Sequence, residues 1–166
     1  MAKPDPETLR RLIHAFIRRF GLLDQTHTPC GLPITVSEAH ALMELLRCPD
    51  MDQMELSRRL GLSKSATSRL LQRLKRRGQI NRSRSRTDGR AYSIRLTEKG
   101  KRQAEMINRE SLSTFGIIIS GISEDVAHRL LQCLPYLIKA LPPSHRDLNS
   151  RHFKHKHCGL KGKIND

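Results

Sequence analysis

Apolar residues recur at helical spacing through most of this 166-residue chain. Near the N-terminus, the positions from Leu9 to Phe20 follow the i, i+3, i+4 rule and predict an amphipathic helix that ends at about Gly21. The next helix is predicted from Thr35 or Ser37 to the break at Cys48. Further helices are predicted over about 52–60, 63–77 and 98–119, and from 123 onward. Pro135 lies inside the last helix and is expected to kink or split it.

The periodicity changes after Gly78. Residues 80–85 and 91–96 flank an Asp-Gly pair that is typical of tight turns, and they predict a two-stranded hairpin. Tyr92, Ile94 and Leu96 alternate along the second strand and are expected to form one buried face that rests on the helices. The prediction is therefore a mainly α protein with a small β wing.

The segment before the hairpin has the pattern of a helix-turn-helix. Small Ser57 would let two helices cross closely, and Gly61 would permit the left-handed turn between them. An unrelated helical hairpin has the same pattern when the segment is considered alone. Within the second helix, Thr67, Leu70, Leu71 and Leu74 fall on one arc and are predicted to face the core.

Charge is concentrated in the same region. The chain carries a formal charge of +15 with a pI near 10.6. Residues 57–102 contain 16 Lys/Arg and 2 Asp/Glu, whereas residues 1–56 contain 6 and 8. Because a surface that serves only solubility mixes both signs, this block predicts a polyanionic partner, with nucleic acid as the first hypothesis.

The outward face of the second helix supplies the candidate contacts to DNA bases. Recognition helices present their N-terminal half to base edges, where Arg suits guanine and Gln suits adenine. Arg69 is the best candidate for guanine and Gln72 for adenine, although the arginines could also contact phosphate alone. The predicted DNA-binding residues of helix and wing are Ser65, Ser68, Arg69, Gln72, Arg73, Arg84, Arg86, Asp88 and Arg90.

Residues 55–100 resemble the MarR family of winged helix-turn-helix regulators. The likeness is carried by ELSRRLGLSKSATSRLLQRLKRRGQINRSRSRTDGRAYSIRLTEKG, with Asp88-x-Arg90 in the wing and Leu96-Thr97-x-x-Gly100 after it. The resemblance implies a homodimer that binds duplex DNA, with Arg90 in the minor groove and Asp88 orienting its guanidinium. Asp88 could instead serve only the turn, and the two roles are compatible.

Four segments follow from these observations. Residues 1–34 are predicted to form an N-terminal dimerisation helix and loop, and 35–100 a winged helix-turn-helix DNA-binding lobe. Residues 101–142 are assigned to C-terminal dimerisation helices and 143–166 to a basic, disordered tail. A two-fold dimer would bind a pseudo-palindromic operator. The function expected from the resemblance is an effector-released repressor, with an unidentified small molecule as effector.

Other classes remain as alternatives. A metal- or oxidant-responsive sensor of the same fold would use His14, Cys30, His40 and Cys48 near the expected effector cleft, and the tail adds His152, His155, His157 and Cys158. The four cysteines lack a CxxC pair and are expected to be unpaired thiols. A non-specific architectural nucleic-acid-binding protein is another alternative.

Several classes are not expected. The chain has no nucleophile elbow, P-loop, dinucleotide fingerprint or HExxH motif, so neither an enzyme nor a cofactor or metal site is predicted. It also has no apolar run of membrane-spanning length and no apolar secretory leader at its N-terminus, so a cytoplasmic protein is expected.

Overall fold

The computed structural model describes Lys3 and residues 5–84 and 92–141. These residues form six helices and one antiparallel sheet with strand order β1-β3-β2. In chain order the elements are α1 (Pro6–Arg19), α2 (Val36–Arg47), β1 (Met51–Asp52), α3 (Gln53–Arg59), α4 (Lys64–Arg76), β2 (Ile80–Arg84), β3 (Tyr92–Leu96), α5 (Glu98–Ser120) and α6 (Glu124–Ala140). The predicted mainly α class with a small β wing is confirmed.

Most helices begin at a side-chain cap. The residue before α1, α2, α3, α4 and α5 accepts a hydrogen bond from a backbone N–H of the first turn, which satisfies a donor that the helix cannot pair internally. These caps are Asp5, Thr35, Asp52, Ser63 and Thr97. Thr35, rather than Ser37, therefore starts α2.

The hydrophobic core lies within the winged lobe, between α2, α3, α4, the sheet and the first half of α5. Its large, fully buried apolar side chains are Leu42, Leu45, Leu56, Leu70, Leu71, Leu74, Ile80, Ile94 and Ile107. Each such side chain contributes about 1.5–3 kcal/mol relative to exposure. The predicted core-facing arc of α4 is confirmed, since Thr67 is buried together with its three leucines.

The turn between α3 and α4 is held by polar contacts. Gly61 has φ of +60°, the left-handed conformation that glycine adopts without steric cost. The Ser57 hydroxyl donates to the Leu62 carbonyl at 2.6 Å, and the Leu62 amide donates back to the Ser57 carbonyl at 3.0 Å. Ser57 is thus a bonding partner in the turn as well as a small residue.

Two expectations about the sheet were wrong, and the last helix is continuous. The sheet has a third strand, β1, which pairs Met51 with Ile94 and is too short to show periodicity. Tyr92 is 58% exposed, because it pairs with Arg84 at the end of the ladder farthest from buried Ile80. Helix α6 continues through Pro135 and is not split.

The C-terminal end of α4 is fastened to the N-terminal end of α5. The Thr97 hydroxyl donates to the Gly78 carbonyl at 2.7 Å and accepts from the Gly100 amide at 3.1 Å. Lys99 Nζ donates to the Arg77 carbonyl at 2.8 Å. These bonds satisfy carbonyls at the end of α4. The approach is so close that a Cβ at Gly100 would lie 1.9 Å from the Gln79 carbonyl oxygen.

None of the helices in the described part of the chain is both long and apolar enough to cross a lipid bilayer.

Gly100→Ala is expected to lower the free energy of unfolding by about 2 kcal/mol or more, because the added methyl must displace backbone. Gly116→Ala is the matched control in the same helix, where a Cβ meets nothing within 4 Å. Because alanine has a higher helix propensity than glycine, Gly116→Ala should raise the free energy of unfolding by up to about 1 kcal/mol. Urea unfolding measures both changes, and equal effects would contradict the packing argument.

Candidate nucleic-acid interface

The outward face of α4 presents polar and cationic side chains to solvent. Ser65, Arg69 and Gln72 are exposed opposite the core, and Ser68 is half-buried at the edge of that face. The sequence of α4, KSATSRLLQRLKR, contains no acidic residue. The face therefore combines hydrogen-bonding groups suited to base edges with uncompensated positive charge.

A groove of about 660 Å³ opens at the N-terminal end of α4, lined by Gln53, Ser63, Lys64, Ser65 and Ser68. Gln53 connects the two elements of the interface: its amide nitrogen donates to the Lys64 carbonyl at 3.3 Å, and its amide oxygen accepts from Arg82 on β2 at 2.9 Å. Neither Gln53 nor Arg82 was among the residues predicted from the sequence. A lone glutamine at the start of a short helix gives no motif or periodic signal.

Arg73 has a different environment from the other predicted contacts. Its Nε donates to Glu38 Oε1 at 2.8 Å, and Arg77 Nη1 donates to Glu38 Oε2 at 3.0 Å. The Glu38 side chain is 1% exposed, while the two arginine side chains are 41% and 51% exposed. Arg73 is thus tied to α2, and its predicted contact with bases stays a prediction.

Opposing effects act on the Glu38 carboxyl. Burial raises its pKa, but the hydrogen bond from Arg73 and the charges of Arg77 and Arg73 lower it more. The net result is a pKa below the ordinary 4.5. Glu38 is therefore a buried carboxylate that stays ionised at neutral pH. The pairing of Glu38 with Arg73 and Arg77 was not expected from the sequence, because a Glu in the first turn of a helix is ordinarily a capping residue.

The wing supplies the second predicted part of the interface. Arg84 ends β2, where its backbone pairs with Tyr92. Arg86, Asp88 and Arg90 lie outside the described residues. Their assignment to DNA binding stays a prediction.

Arginines of α3 and β3 are paired with carboxylates. On α3, Glu55 binds both Arg58 and Arg59 at 2.7 Å, and Arg59 also reaches Glu44 on α2 at 3.0 Å. Arg95 on β3 pairs with Asp50. Because these charges are offset locally, the unbalanced positive charge of the described lobe is centred on α4.

The family model described as MarR family matches residues 32–91, which run from the loop before α2 into the wing. Over these residues the chain is similar to the MarR family. The resemblance seen in the sequence is confirmed, and the matched segment contains α2, the helix-turn-helix and the outward face of α4.

Solved structures of MarR-like regulators have the same fold. FabT of Streptococcus pneumoniae, crystallised with DNA, is 23% identical with a TM-score of 0.66, covering 81% of this chain and 96% of its own. MepR of Staphylococcus aureus in a DNA complex is 22% identical, with a TM-score of 0.63 and coverages of 84% and 100%. PcaV of Streptomyces coelicolor with its natural ligand is 24% identical, with a TM-score of 0.61 and coverages of 84% and 99%.

The terminal helices, which lie outside the segment matched by the family model, expose large apolar side chains. Helix α1 has no buried residue, and α6 buries only Ala127. Phe20, the residue that ends α1, stacks on Phe16 and lies 5.4 Å between ring centroids from Phe115 of α5, in a tilted orientation. The exposed set includes Leu9, Leu12, Phe16, Leu112, Ile117, Leu131 and Ile138. An apolar surface of this extent marks an interaction site.

A pocket of about 310 Å³ lies between α2 and α5, lined by His40, Met43, Glu44, Leu46, Arg47 and Asn108. Of the residues expected to border an effector cleft, His40 lines this pocket. Within residues 5–84 and 92–141, no three His, Cys, Asp or Glu side chains are grouped to hold a metal ion.

The cysteines differ in state. Cys30 is a free thiol whose Sγ lies 3.0 Å from the Thr28 hydroxyl, and Cys133 is free and exposed. Cys48 is buried.

Glu38→Gln should lower the free energy of unfolding by about 2 kcal/mol at pH 7, because it removes charge-assisted hydrogen bonds to two arginines. The folded pKa is depressed, so the ionised carboxylate stabilises the fold above its unfolded pKa, and this stabilisation is lost as pH falls through the folded value. The advantage of the wild type should therefore narrow below pH 4.5. Urea unfolding across pH measures it. An unchanged advantage in acid would contradict the ion-pair account, and exposed Glu110→Gln is the control.

Proposed function

We propose that the chain is a homodimeric, sequence-specific transcriptional repressor that binds duplex DNA at a pseudo-palindromic operator and is released by a small-molecule effector. The observation that carries the proposal is the outward face of α4, which is cationic and free of acidic residues. The opposite face of the same helix is apolar and buried in the core, which holds the cationic face in place. The match of residues 32–91 to the MarR family model supports it, as do the similar FabT and MepR structures that contain DNA.

In this proposal the recognition helix, residues 63–77, enters the major groove. Arg69 donates two hydrogen bonds to a guanine, Gln72 pairs with an adenine, and Ser65 and Ser68 contact neighbouring groups at the N-terminal half of the helix. The wing, residues 82–92, enters the adjacent minor groove. There Arg90 is inserted, with Asp88 orienting its guanidinium.

The dimer is assigned to α1, the second half of α5 and α6. Their apolar side chains exceed what the winged lobe covers within one chain, and a second copy of the same helices would bury them. A two-fold arrangement would place two recognition helices about one DNA turn apart, roughly 34–36 Å. This spacing accounts for a pseudo-palindromic operator.

The effector site is assigned to the pocket between α2 and α5. Its volume, about 310 Å³, matches the lower range of small-molecule sites, and it combines apolar Met43 and Leu46 with polar His40, Arg47 and Asn108. The related PcaV was solved with its natural ligand, which supports a ligand-responsive function. A ligand there would contact α2, which carries both Glu38 and Glu44.

Selection of bound sites from random duplex DNA tests the proposal. Recovery of a two-fold symmetric sequence that binds at least about a thousandfold more tightly than scrambled duplex would support a sequence-specific dimer. Equal affinity for scrambled duplex would indicate the architectural alternative.

Arg69→Ala should relax base preference at one position of each half-site and weaken operator binding by about tenfold or more. Arg76→Ala is the matched control on the same face, one heptad nearer the C-terminus and away from the half that contacts bases. It should weaken binding to all duplexes alike and reduce the salt slope by about one. Repeated selection with each variant separates the two, and a preserved preference in Arg69→Ala would refute its contact with a base.

Leu130→Glu should dissociate the dimer and lower operator affinity at least tenfold, because the substitution places a charge within the apolar stripe of α6. Sedimentation at equilibrium measures the mass. Arg129→Glu changes the adjacent, 67% exposed side chain and should leave the dimer intact. A monomeric wild type that still binds the operator would refute the assigned interface.

A further inference from the structure

Glu38 connects α2 to the recognition helix by hydrogen bonds to Arg73 and Arg77, which lie 35 and 39 residues later in the sequence. Its two carboxylate oxygens accept from different arginines, Oε1 from Arg73 at 2.8 Å and Oε2 from Arg77 at 3.0 Å. A buried carboxylate is costly unless it is paired, and both oxygens are paired here. The pairing uses two arginines that would otherwise face a polyanion.

The two arginines lie four residues apart, and therefore on the same flank of α4. That flank borders the exposed face of Ser65, Arg69 and Gln72, because Arg69 in turn lies four residues before Arg73. Apolar packing is non-directional and leaves a helix some freedom to rotate about its axis. Charge-assisted hydrogen bonds from a fixed, buried carboxylate to one flank oppose such rotation.

The Glu38 carboxylate bonds to the arginines and not to the N-cap of its own helix. Thr35 and Glu38 have the spacing of a capping box, in which the Glu side chain would bond the backbone amide of its own N-cap. Thr35 does accept from the Glu38 amide at 3.2 Å, but the Glu38 carboxylate binds the arginines of α4. Its position in the first turn, where the helix dipole favours negative charge, helps to keep it ionised.

We propose that Glu38 is a positioning residue for DNA specificity, which holds Arg73 and Arg77 off the DNA and fixes the rotation of α4 in the major groove. The inference rests on the proposed function, since it concerns the same recognition helix. Arg73 then acts through Glu38 and not through a base. The base contacts are left to Ser65, Ser68, Arg69 and Gln72.

Glu38→Gln tests the inference, because the amide preserves the shape of the side chain and removes its charge. Binding to the operator recovered by selection and to a scrambled duplex is measured over a range of salt concentrations, at a temperature where thermal melting shows each protein folded. The ratio of operator to scrambled affinity should fall about tenfold or more, the scale of one lost base contact. The salt slope on scrambled duplex should steepen by about 0.9 for each arginine that gains a phosphate.

Matched variants separate positioning from stability. Glu55→Gln alters a carboxylate of α3 that pairs with Arg58 and Arg59, not with α4, and should lower stability while keeping the affinity ratio. Adding Arg73→Gln and Arg77→Gln to Glu38→Gln should restore the wild-type salt slope but not the ratio. Arg77→Gln alone changes a half-exposed partner and should lower the ratio by a smaller factor, which keeps the inference testable if Glu38→Gln does not fold.

The outcomes distinguish the two proposals. A wild type without preference for any sequence overturns the proposed function and this inference with it. If the wild type is selective, but neither Glu38→Gln nor Arg77→Gln changes the ratio of operator to scrambled affinity or the salt slope, only the role of Glu38 is overturned. Loss of preference at a single base position in Arg73→Gln, with the salt slope reduced, would show that Arg73 contacts a base directly.

Discussion

Burial of the apolar face of α4 is the interaction on which the rest of the interface depends. An isolated helix of 13 residues is marginal in water, and this one carries five Lys/Arg that repel one another. Leu70, Leu71 and Leu74, all 1% exposed or less, supply the stability that the charged face lacks. The winged lobe therefore keeps a rigid row of cations on its surface by placing the opposite side of the same helix in the core.

Polar contacts give that helix a defined orientation. Its first turn is capped by Ser63, its flank is held by Glu38, and its last carbonyls are bonded by Thr97 and Lys99. These contacts come from the N-cap of α4 itself, from α2 and from the start of α5, so the helix is restrained at both ends and along one side. The face that remains free is the one with Arg69 and Gln72. A polyanionic ligand would thus meet preorganised donors and would not have to order them.

The fold was largely predictable because local rules agree with one another along most of this chain. N-caps such as Ser63 and Thr97 mark helix starts, and the leucine spacing in α4 identifies its buried face. The features that escaped prediction depend on distant partners. Glu38 resembles an ordinary first-turn glutamate until the fold brings Arg73 and Arg77 beside it, and β1 becomes a strand only because Ile94 is there to pair with Met51. In the candidate site, Ser65, Arg69 and Gln72 were found where expected, whereas Gln53 and Arg82 had no local signal.

Helix α5 joins the two functions proposed for the chain. Its first half is in the core, with Gly100, Ala104 and Ile107 buried, and its second half carries exposed apolar residues such as Leu112 and Ile117. At 23 residues it is about 34 Å long. Because a Cβ at Gly100 would lie 1.9 Å from the Gln79 carbonyl oxygen, α5 is in direct contact with the C-terminal end of α4, and we expect a tilt of α5 in the proposed dimer to move that end as well. An effector between α2 and α5 would therefore act on the recognition helix from both sides, through Glu38 on one element and Thr97 on the other.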